Sequence, residues 1–470
     1  MLNKISLFLI SPDLSFRREI FLILPVILLL SLMTTCQEPG PAPNPFRNTT
    51  LALEIPDASC TEAWLRVSLT GDDTLSTALP VVVKRDAATV MELLLSPPDY
   101  DTLMVDQGLE PSHPYSYKAY RRNLAGTALV DSSDSATVTT MDTTSHDFTW
   151  TIDTLGDYGS YLKDVAIIDE NNIWAVGDIQ TDSGRYNLAK WNGVSWNLHL
   201  FGVPGVTGDG IYAFSENDVW VATGIIYHWN NGTWERYHLW DMGVLGPNDG
   251  GVTKVWGSSP EDMWFVGSGG SIVHYDGSGF TRLESGTDIP LTDVLGIRDN
   301  NGEVHVWACG SGDHNESVVL KITDQTVETI YERYVGGANS LDDETIMSPM
   351  GETLWATPSS PLLWIAGGFG IFTFNDNQAP VSYSEVIIPE RAYWHPYTWK
   401  MRGNDKNDLF LAGEYGAAYH FNGKHWRWYS ELRNDGLRFW CLDTSPNLSV
   451  IGGEDNSGFL TKGIVVIGRR

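Results

Sequence analysis

The stretch Asn172-Ile173-Trp174-Ala175-Val176-Gly177 decides the fold, because it recurs. It returns as Asp218-Val219-Trp220-Val221-Ala222-Thr223, as Asp262-Met263-Trp264-Phe265-Val266-Gly267, as His305-Val306-Trp307-Ala308-Cys309-Gly310 and as Leu362-Leu363-Trp364-Ile365-Ala366-Gly367. It then weakens to Asp408-Leu409-Phe410-Leu411-Ala412-Gly413 and Leu448-Ser449-Val450-Ile451-Gly452. Counted from residue 174, the copies fall at 220, 264, 307, 364, 410 and 449, at intervals of 46, 44, 43, 57, 46 and 39. The one long interval implies an insertion. A period of about 40 to 45 residues is that of a four-stranded propeller blade.

The rest of each unit fits that period. A short apolar strand precedes the phrase, as in Asp164-Val165-Ala166-Ile167-Ile168. A third strand follows and ends in Asn-Gly or Asp-Gly, as at Asn192-Gly193, Asn231-Gly232 and Asp276-Gly277. These dipeptides supply the positive φ angles of primed hairpin turns. A more polar fourth strand comes next, such as Thr233-Trp234-Glu235-Arg236. The seventh unit runs only to a third strand, Gly463-Ile464-Val465-Val466-Ile467. Just before the first unit lies an unassigned strand-like segment, Phe148-Thr149-Trp150-Thr151-Ile152. Placed as the fourth strand of the last unit, it closes a ring and hides both edges. The expectation is therefore an all-β chain whose residues 147–470 form a seven-bladed β-propeller closed by an N-terminal strand. Eight units, or six with one irregular segment, fit the same spacing.

Working outward, residues 47–145 also alternate at β spacing, as in Ala63-Trp64-Leu65-Arg66-Val67-Ser68-Leu69. Leu109, Pro111 and Tyr115 resemble the E–F corner of fibronectin type III domains, in which the Tyr hydroxyl ties down the corner. The resemblance implies a small β-sandwich acting as a spacer or adhesive module, with Trp64 as its core tryptophan. Further upstream, Ile20 to Met33 is apolar apart from Ser31 and follows Arg17 and Arg18. That run is short for a membrane span and suits a signal peptide over residues 1–35. Leu32-Met33-Thr34-Thr35-Cys36 resembles the lipobox of bacterial lipoproteins, although Thr35 stands where a smaller residue is usual and Met33 where Leu is commoner. The resemblance implies lipidation of Cys36, followed by a Pro-rich tether over residues 36–46.

Charge narrows the function. The chain has 30 Lys+Arg against 59 Asp+Glu, a net charge of −29. A nucleic-acid partner needs a basic face and is excluded on this count. Apart from Cys36, the cysteines are Cys60, Cys309 and Cys441, an odd number best read as small buried hydrophobes without a disulfide.

The third unit, Val255-Trp256-Gly257-Ser258-Ser259-Pro260-Glu261-Asp262 followed by Gly270-Ser271-Ile272-Val273-His274-Tyr275-Asp276-Gly277, resembles repeats of exported bacterial β-propellers of the BNR or photosystem-assembly-like kind. With its signal and sandwich, the chain resembles bacterial surface lipoproteins. Relatives of that kind are sometimes labelled glucosyltransferases, a label no motif here supports.

Candidate chemistry must break the repeat. Asp218, Asp262 and Asp408 recur at one position and are read as turn residues. His228, His274 and His420 recur likewise. The symmetry breaks at Arg391, Tyr393, Trp394, His395 and Tyr397, and again at Trp240. Aromatic faces stack on sugars and Arg or His adds polar contacts, so these six are the candidate ligand-binding residues. Asp342-Asp343-Glu344 offers oxygen ligands for Ca²⁺, but a solvated acidic loop has the same composition and no motif supports a cofactor. No nucleophile elbow, zinc motif or Cys-x-x-Cys pair occurs. The expected function is a non-catalytic lipoprotein of the outer membrane or cell surface, held by its lipid and presenting a binding or scaffold surface for a glycan or envelope protein. The alternative is a carbohydrate-active propeller enzyme, of glycosyltransferase or glycosidase type.

Overall fold

A computed structural model describes residues 48–470 except 72–76, 99, 124, 300, 313–315, 324, 334–350, 359–361, 368–369, 376–380 and 383–396. The described residues are almost entirely β-strand, with two short 3₁₀ turns. None of their helices is long and apolar enough to cross a membrane.

Residues from Thr50 to Thr139 build two sheets. Three strands, Thr50–Ala58, Glu62–Thr70 and Asp101–Gln107, make one. The other is Ala88–Leu95, Leu79–Arg85, Pro114–Arg122 and Leu129–Ser132, with Ala136–Thr139 also paired to Pro114–Arg122. Leu65 and Val67 are buried between them with Val81, Val83 and Tyr117, whereas Trp64, expected as the core tryptophan, is buried on the opposite face of its strand with Lys406 Nζ 5.3 Å from its ring. At the corner, the backbone N–H of Glu110 donates to the Tyr115 hydroxyl at 2.9 Å, and Leu109 is buried beneath.

Residues from Thr149 onward build seven antiparallel sheets of four strands. The first is Asp157–Asp169, Asn172–Thr181, Gly184–Trp191 and Trp196–His199. Six sheets take consecutive strands. The seventh takes Leu437–Ser445, Leu448–Asp455 and Lys462–Arg469, and its fourth strand is Thr149–Thr154, with Thr151 opposite Ile467 and Thr149 opposite Arg469. Phe148 beside that strand meets Phe410 at 5.2 Å, and Trp150 within it meets Tyr429 at 4.8 Å, so the segment also packs on the sixth sheet. Arg470, next to Lys462–Arg469, binds the Asp408 carboxylate with both guanidinium nitrogens, at 3.0 and 2.7 Å.

The repeated phrase is the second strand of each sheet, and its aromatic residue is buried. Trp174, Trp220, Trp264, Trp307, Trp364 and Phe410 are all 8% exposed or less. Trp220, for example, packs on Phe265 and Tyr275 of the next sheet. Full burial of such side chains contributes about 2–3 kcal/mol each, which is why the spacing of this residue dictates the spacing of the sheets. The repeated Asp does more than shape a turn. Asp218 accepts from His228, Asp262 from His274 and Asp408 from His420 at 2.7–2.9 Å, each histidine lying on the third strand. Each His ring stacks on the phrase aromatic, at 3.8 Å for Trp220, 3.9 Å for Trp264 and 4.4 Å for Phe410. The turns themselves are capped by other residues, as where Ser259 Oγ accepts from the Glu261 N–H. Among the hairpins, Asn231 (φ 46°) and Gly232 (φ 97°) both have positive φ, as a primed turn requires.

The first strands pack against one another. Each packs against the first strand of the next sheet, and Leu437–Ser445 packs against Asp157–Asp169. Three carboxylates bridge these strands in one pattern. Asp164, Asp293 and Asp443 each accept the N–H of the following residue through Oδ1. Through Oδ2 they accept an N–H of the neighbouring first strand: Ile211 at 3.2 Å, Leu354 at 3.1 Å and Ile167 at 2.7 Å respectively. The last of these joins the seventh sheet to the first.

The sandwich docks on the sixth sheet. Lys406 is buried and pairs with Asp57, also donating to the Ala58 carbonyl at 3.0 Å. Asn407 donates to the Asp142 carbonyl at 2.8 Å. A Cβ at Gly423 would lie 2.2 Å from Cys60 Sγ, so only glycine lets the hairpin approach this closely. Cys60, Cys309 and Cys441 are all free and buried.

Candidate functional site

The inner strands carry charged residues in otherwise apolar sequence, and these gather in two adjoining cavities. One, of ≈ 290 Å³, is lined by Asp164, Tyr212, Lys254, Asp293, Arg402 and Asp443. At its centre Asp293, 1% exposed, accepts from Lys400 Nζ at 2.7 Å, from both Arg402 Nη atoms at 2.9 Å and from Thr353 Oγ1 at 2.8 Å. Burial alone would raise its pKa, but Arg402 and Lys400 outweigh burial and hold the carboxyl far below the usual carboxylate range. Asp443 faces the opposite balance. Burial pushes it up to about 6, against the backbone N–H groups of Ile167 and Thr444 and the more distant charge of Arg402.

The second cavity, of ≈ 300 Å³, lies one or two residues further along the same strands. Lys163, Asp209, Lys254, Glu352, Trp399 and Trp440 line it. It opens where the first strands begin and where loops leave the second strands, since Ser268 and Pro290 also border it. Trp399 and Trp440, from the sixth and seventh sheets, lie parallel, with centroids 5.7 Å apart and planes 4° from each other. At that separation the two indoles are stacked with an offset, so each covers part of the other's face. Trp399 Nε1 donates to Glu414 Oε1 at 3.1 Å, and Glu414 holds Arg438 at 3.2 Å, which fixes the orientation of the Trp399 ring. The Lys163 ammonium sits 4.6 Å from the Trp440 ring centroid and 5.5 Å from that of Tyr161, and burial lowers its pKa.

Two carboxylates share the cavity. Glu352 is buried, and burial raises its pKa although Ser311 Oγ (2.7 Å) and the Tyr397 hydroxyl (3.0 Å) both donate to its Oε1. Burial also raises Asp209, against Lys254 and Lys163. The cavity thus combines a tryptophan stack, an ammonium and two carboxyls whose pKa values burial raises. It breaks the sevenfold repeat, as a ligand site in a repeat protein must.

Of the residues expected from sequence, Arg391, Tyr393, Trp394 and His395 lie outside the described residues, as does Asp342-Asp343-Glu344. Tyr397 stands at the cavity, bonded to Glu352 and 4.3 Å from Trp399. Trp240 packs elsewhere, against the core between the second and third sheets, with His238 at 5.5 Å. Cys36 is likewise outside the described residues. Sequence reasoning missed Lys163, Lys254, Asp293, Lys400 and Arg402. Their signal was a charge inside an apolar first strand, as in Thr253-Lys254-Val255. Among the described residues, Asp299, Glu303 and His305 could together reach one metal ion, but Asp299 Oδ1 is engaged by the Asn301 and Glu303 N–H groups.

No protein-family model and no curated protein matches the chain. Solved structures do. The chain is similar to an extracellular domain from B. thetaiotaomicron at 13% identity and a TM-score of 0.43, over 89% of this chain and 52% of that one. BamB from Moraxella catarrhalis matches at 13% identity and 0.35, over 66% and 83% of the two chains. The computationally designed Ika8 protein matches at 13% and 0.41, over 66% and 98%. Likenesses this distant do not speak to what this chain binds.

Proposed function

We propose that the seven sheets are the blades of a closed β-propeller, that residues 47–145 are a fibronectin III-like module, and that the protein is an exported lipoprotein. Cys36 carries the lipid that holds it at the outer membrane or cell surface. The propeller face bearing Trp399 and Trp440 binds a ligand, a glycan or an envelope protein. Support for the ring comes from the pairing of Thr149–Thr154 with Lys462–Arg469 and from the Ile167 N–H donated to Asp443. Support for anchoring is the lipobox-like sequence alone. The observation that carries the binding reading is the stacked Trp399–Trp440 pair beside a cavity lined by lysines and carboxyls.

The test is a glycan array and an envelope-protein pull-down with the full chain in detergent, beside the W440A variant. Retention of a defined ligand that W440A loses is the expected result. Binding unaffected by W440A would remove the cavity from the function. Anchoring is tested by C36S, which should move the protein from the membrane to the soluble fraction. One observation favours a second reading. Asp209 and Glu352 line one cavity, and glycosidases work with paired carboxyls. Turnover of aryl glycosides that E352Q abolishes would establish catalysis.

A further inference from the structure

One buried ion pair joins the sandwich to the sixth sheet, and its polar atoms do not balance. Lys406 lies in the turn between Thr398–Asp405 and Asp408–Gly413, and Asp57 near the end of Thr50–Ala58. Their side chains are 3% and 4% exposed. Lys406 Nζ donates to Asp57 Oδ1 and, at 3.0 Å, to the Ala58 carbonyl, and it sits 5.3 Å from the Trp64 ring centroid. Asp57 Oδ1 also accepts the Ala58 N–H at 2.8 Å. Asp57 Oδ2 is buried and has no hydrogen-bond partner among the described residues. A buried ion pair is favourable only when further hydrogen bonds satisfy its remaining lone pairs and protons. Here one carboxylate oxygen goes without a donor, and two oxygens serve the three donors of the ammonium.

Removing one water from the pair balances it. An amide between Nζ and Cγ keeps one N–H, which the Ala58 carbonyl accepts, and one oxygen, Oδ1, which the Ala58 N–H already bonds. The orphan Oδ2 is the atom that departs. We infer that Lys406 and Asp57 are condensed into an isopeptide bond that fastens the sandwich to the sixth sheet. Nζ rests on Oδ1, one bond from the carbon it attacks, and burial on both sides holds the two groups in place. Proton transfer from the ammonium to Oδ2 gives an amine and a carboxylic acid. Burial, with the Asp405 charge adding to it, raises the Asp57 pKa against Lys406 and so favours that acid. The Nζ lone pair then attacks Cγ, while the Ala58 N–H holds Oδ1 as it gains charge. The Cγ–Oδ2 bond breaks, and Oδ2 takes a second proton from Nζ and leaves as water. The bond joins residues 349 apart in the chain.

Tryptic peptide mapping of the purified full chain tests this. A lysine linked through its side chain resists trypsin, so residues 48–66 should appear joined to residues 403–424, at about 18 Da below the sum of the two peptides. D57N should give the same linked pair at about 17 Da below the sum for its own sequence, because ammonia leaves in place of water, and D57A should give none. Separate peptides 48–66 and 407–424 from the unaltered protein, with the chain cut after Lys406, overturn the inference. So does a linked pair that persists in D57A, since the acceptor would then be another residue. The map of the unaltered protein decides even where a variant folds poorly.

Discussion

Replacing Asp293 by Asn should be among the most damaging single changes in the inner strands. The carboxylate holds Lys400, which is 3% exposed, and Arg402, and it also accepts Thr353 Oγ1 and the Leu354 N–H. Asn keeps the shape but removes the charge bonded directly to the buried Lys400 ammonium. Breaking a buried pair in this way costs about 3–5 kcal/mol. Urea unfolding followed by tryptophan fluorescence should show a loss of that size at pH 7. The double variant D293N/K400M removes the stranded ammonium as well, and should recover about 2 kcal/mol relative to the sum of the single changes. The pH dependence has a definite sign. Asp293 is depressed in the folded chain, so its contribution is complete above the ordinary Asp value of 3.8 and is lost as pH falls below it. A loss under about 1 kcal/mol for D293N, or strict additivity with K400M, would refute the claim that this pair is a compensated buried charge.

His146 should act as an acid trigger. Burial, aided by His420, lowers its pKa from 6.5 to about 4. Its Nδ1 lies 2.8 Å from His420 Nδ1; with His420 Nε2–H donated to Asp408, His146 Nδ1–H donates to His420, and acid adds its proton at His146 Nε2, placing a charge in a partly buried site. The neutral pair therefore stabilises fully above pH 6.5, and that stability disappears as pH falls towards 4. Screening by solvent around this half-buried ring holds the loss to about 1–2 kcal/mol. H146F should flatten the stability profile across this window. Tyr115→Phe deletes the hydroxyl that the Glu110 N–H binds, and should lower stability by about 1 kcal/mol, seen as a lower urea midpoint for the sandwich.

Much of the architecture is legible in the sequence because each sheet is a local unit. Neighbouring strands follow one another in the chain, and Trp174 and its equivalents are buried at each repeat. Even the distant partner of Lys462–Arg469 was legible, since a missing strand at one end matched a spare one, Phe148 to Ile152, at the other. The cavity was far less so. Asp293 meets Lys400 and Arg402 across 107 and 109 residues, and no local pattern pairs them. The repeated Asp was read as a turn residue because its partner histidine sits ten to twelve residues on, and only strand register brings His228 opposite Trp220 and within reach of Asp218. Aromatic clustering did lead to Tyr397, at the edge of the cavity, but also to Trp240, whose partly buried ring packs against the core between sheets.

The central claim is that Thr149–Thr154 completes the last sheet of a closed ring. Thr149 and Arg469 are exposed and directly opposed in that pairing, which places their Cα atoms about 4.5–5.5 Å apart, inside the range a disulfide spans. The double variant T149C/R469C should form an intramolecular disulfide under mild oxidation, shift in non-reducing electrophoresis as a monomer, and raise the urea midpoint. Cysteines that stay reduced, or that link only between molecules, would contradict the closed ring.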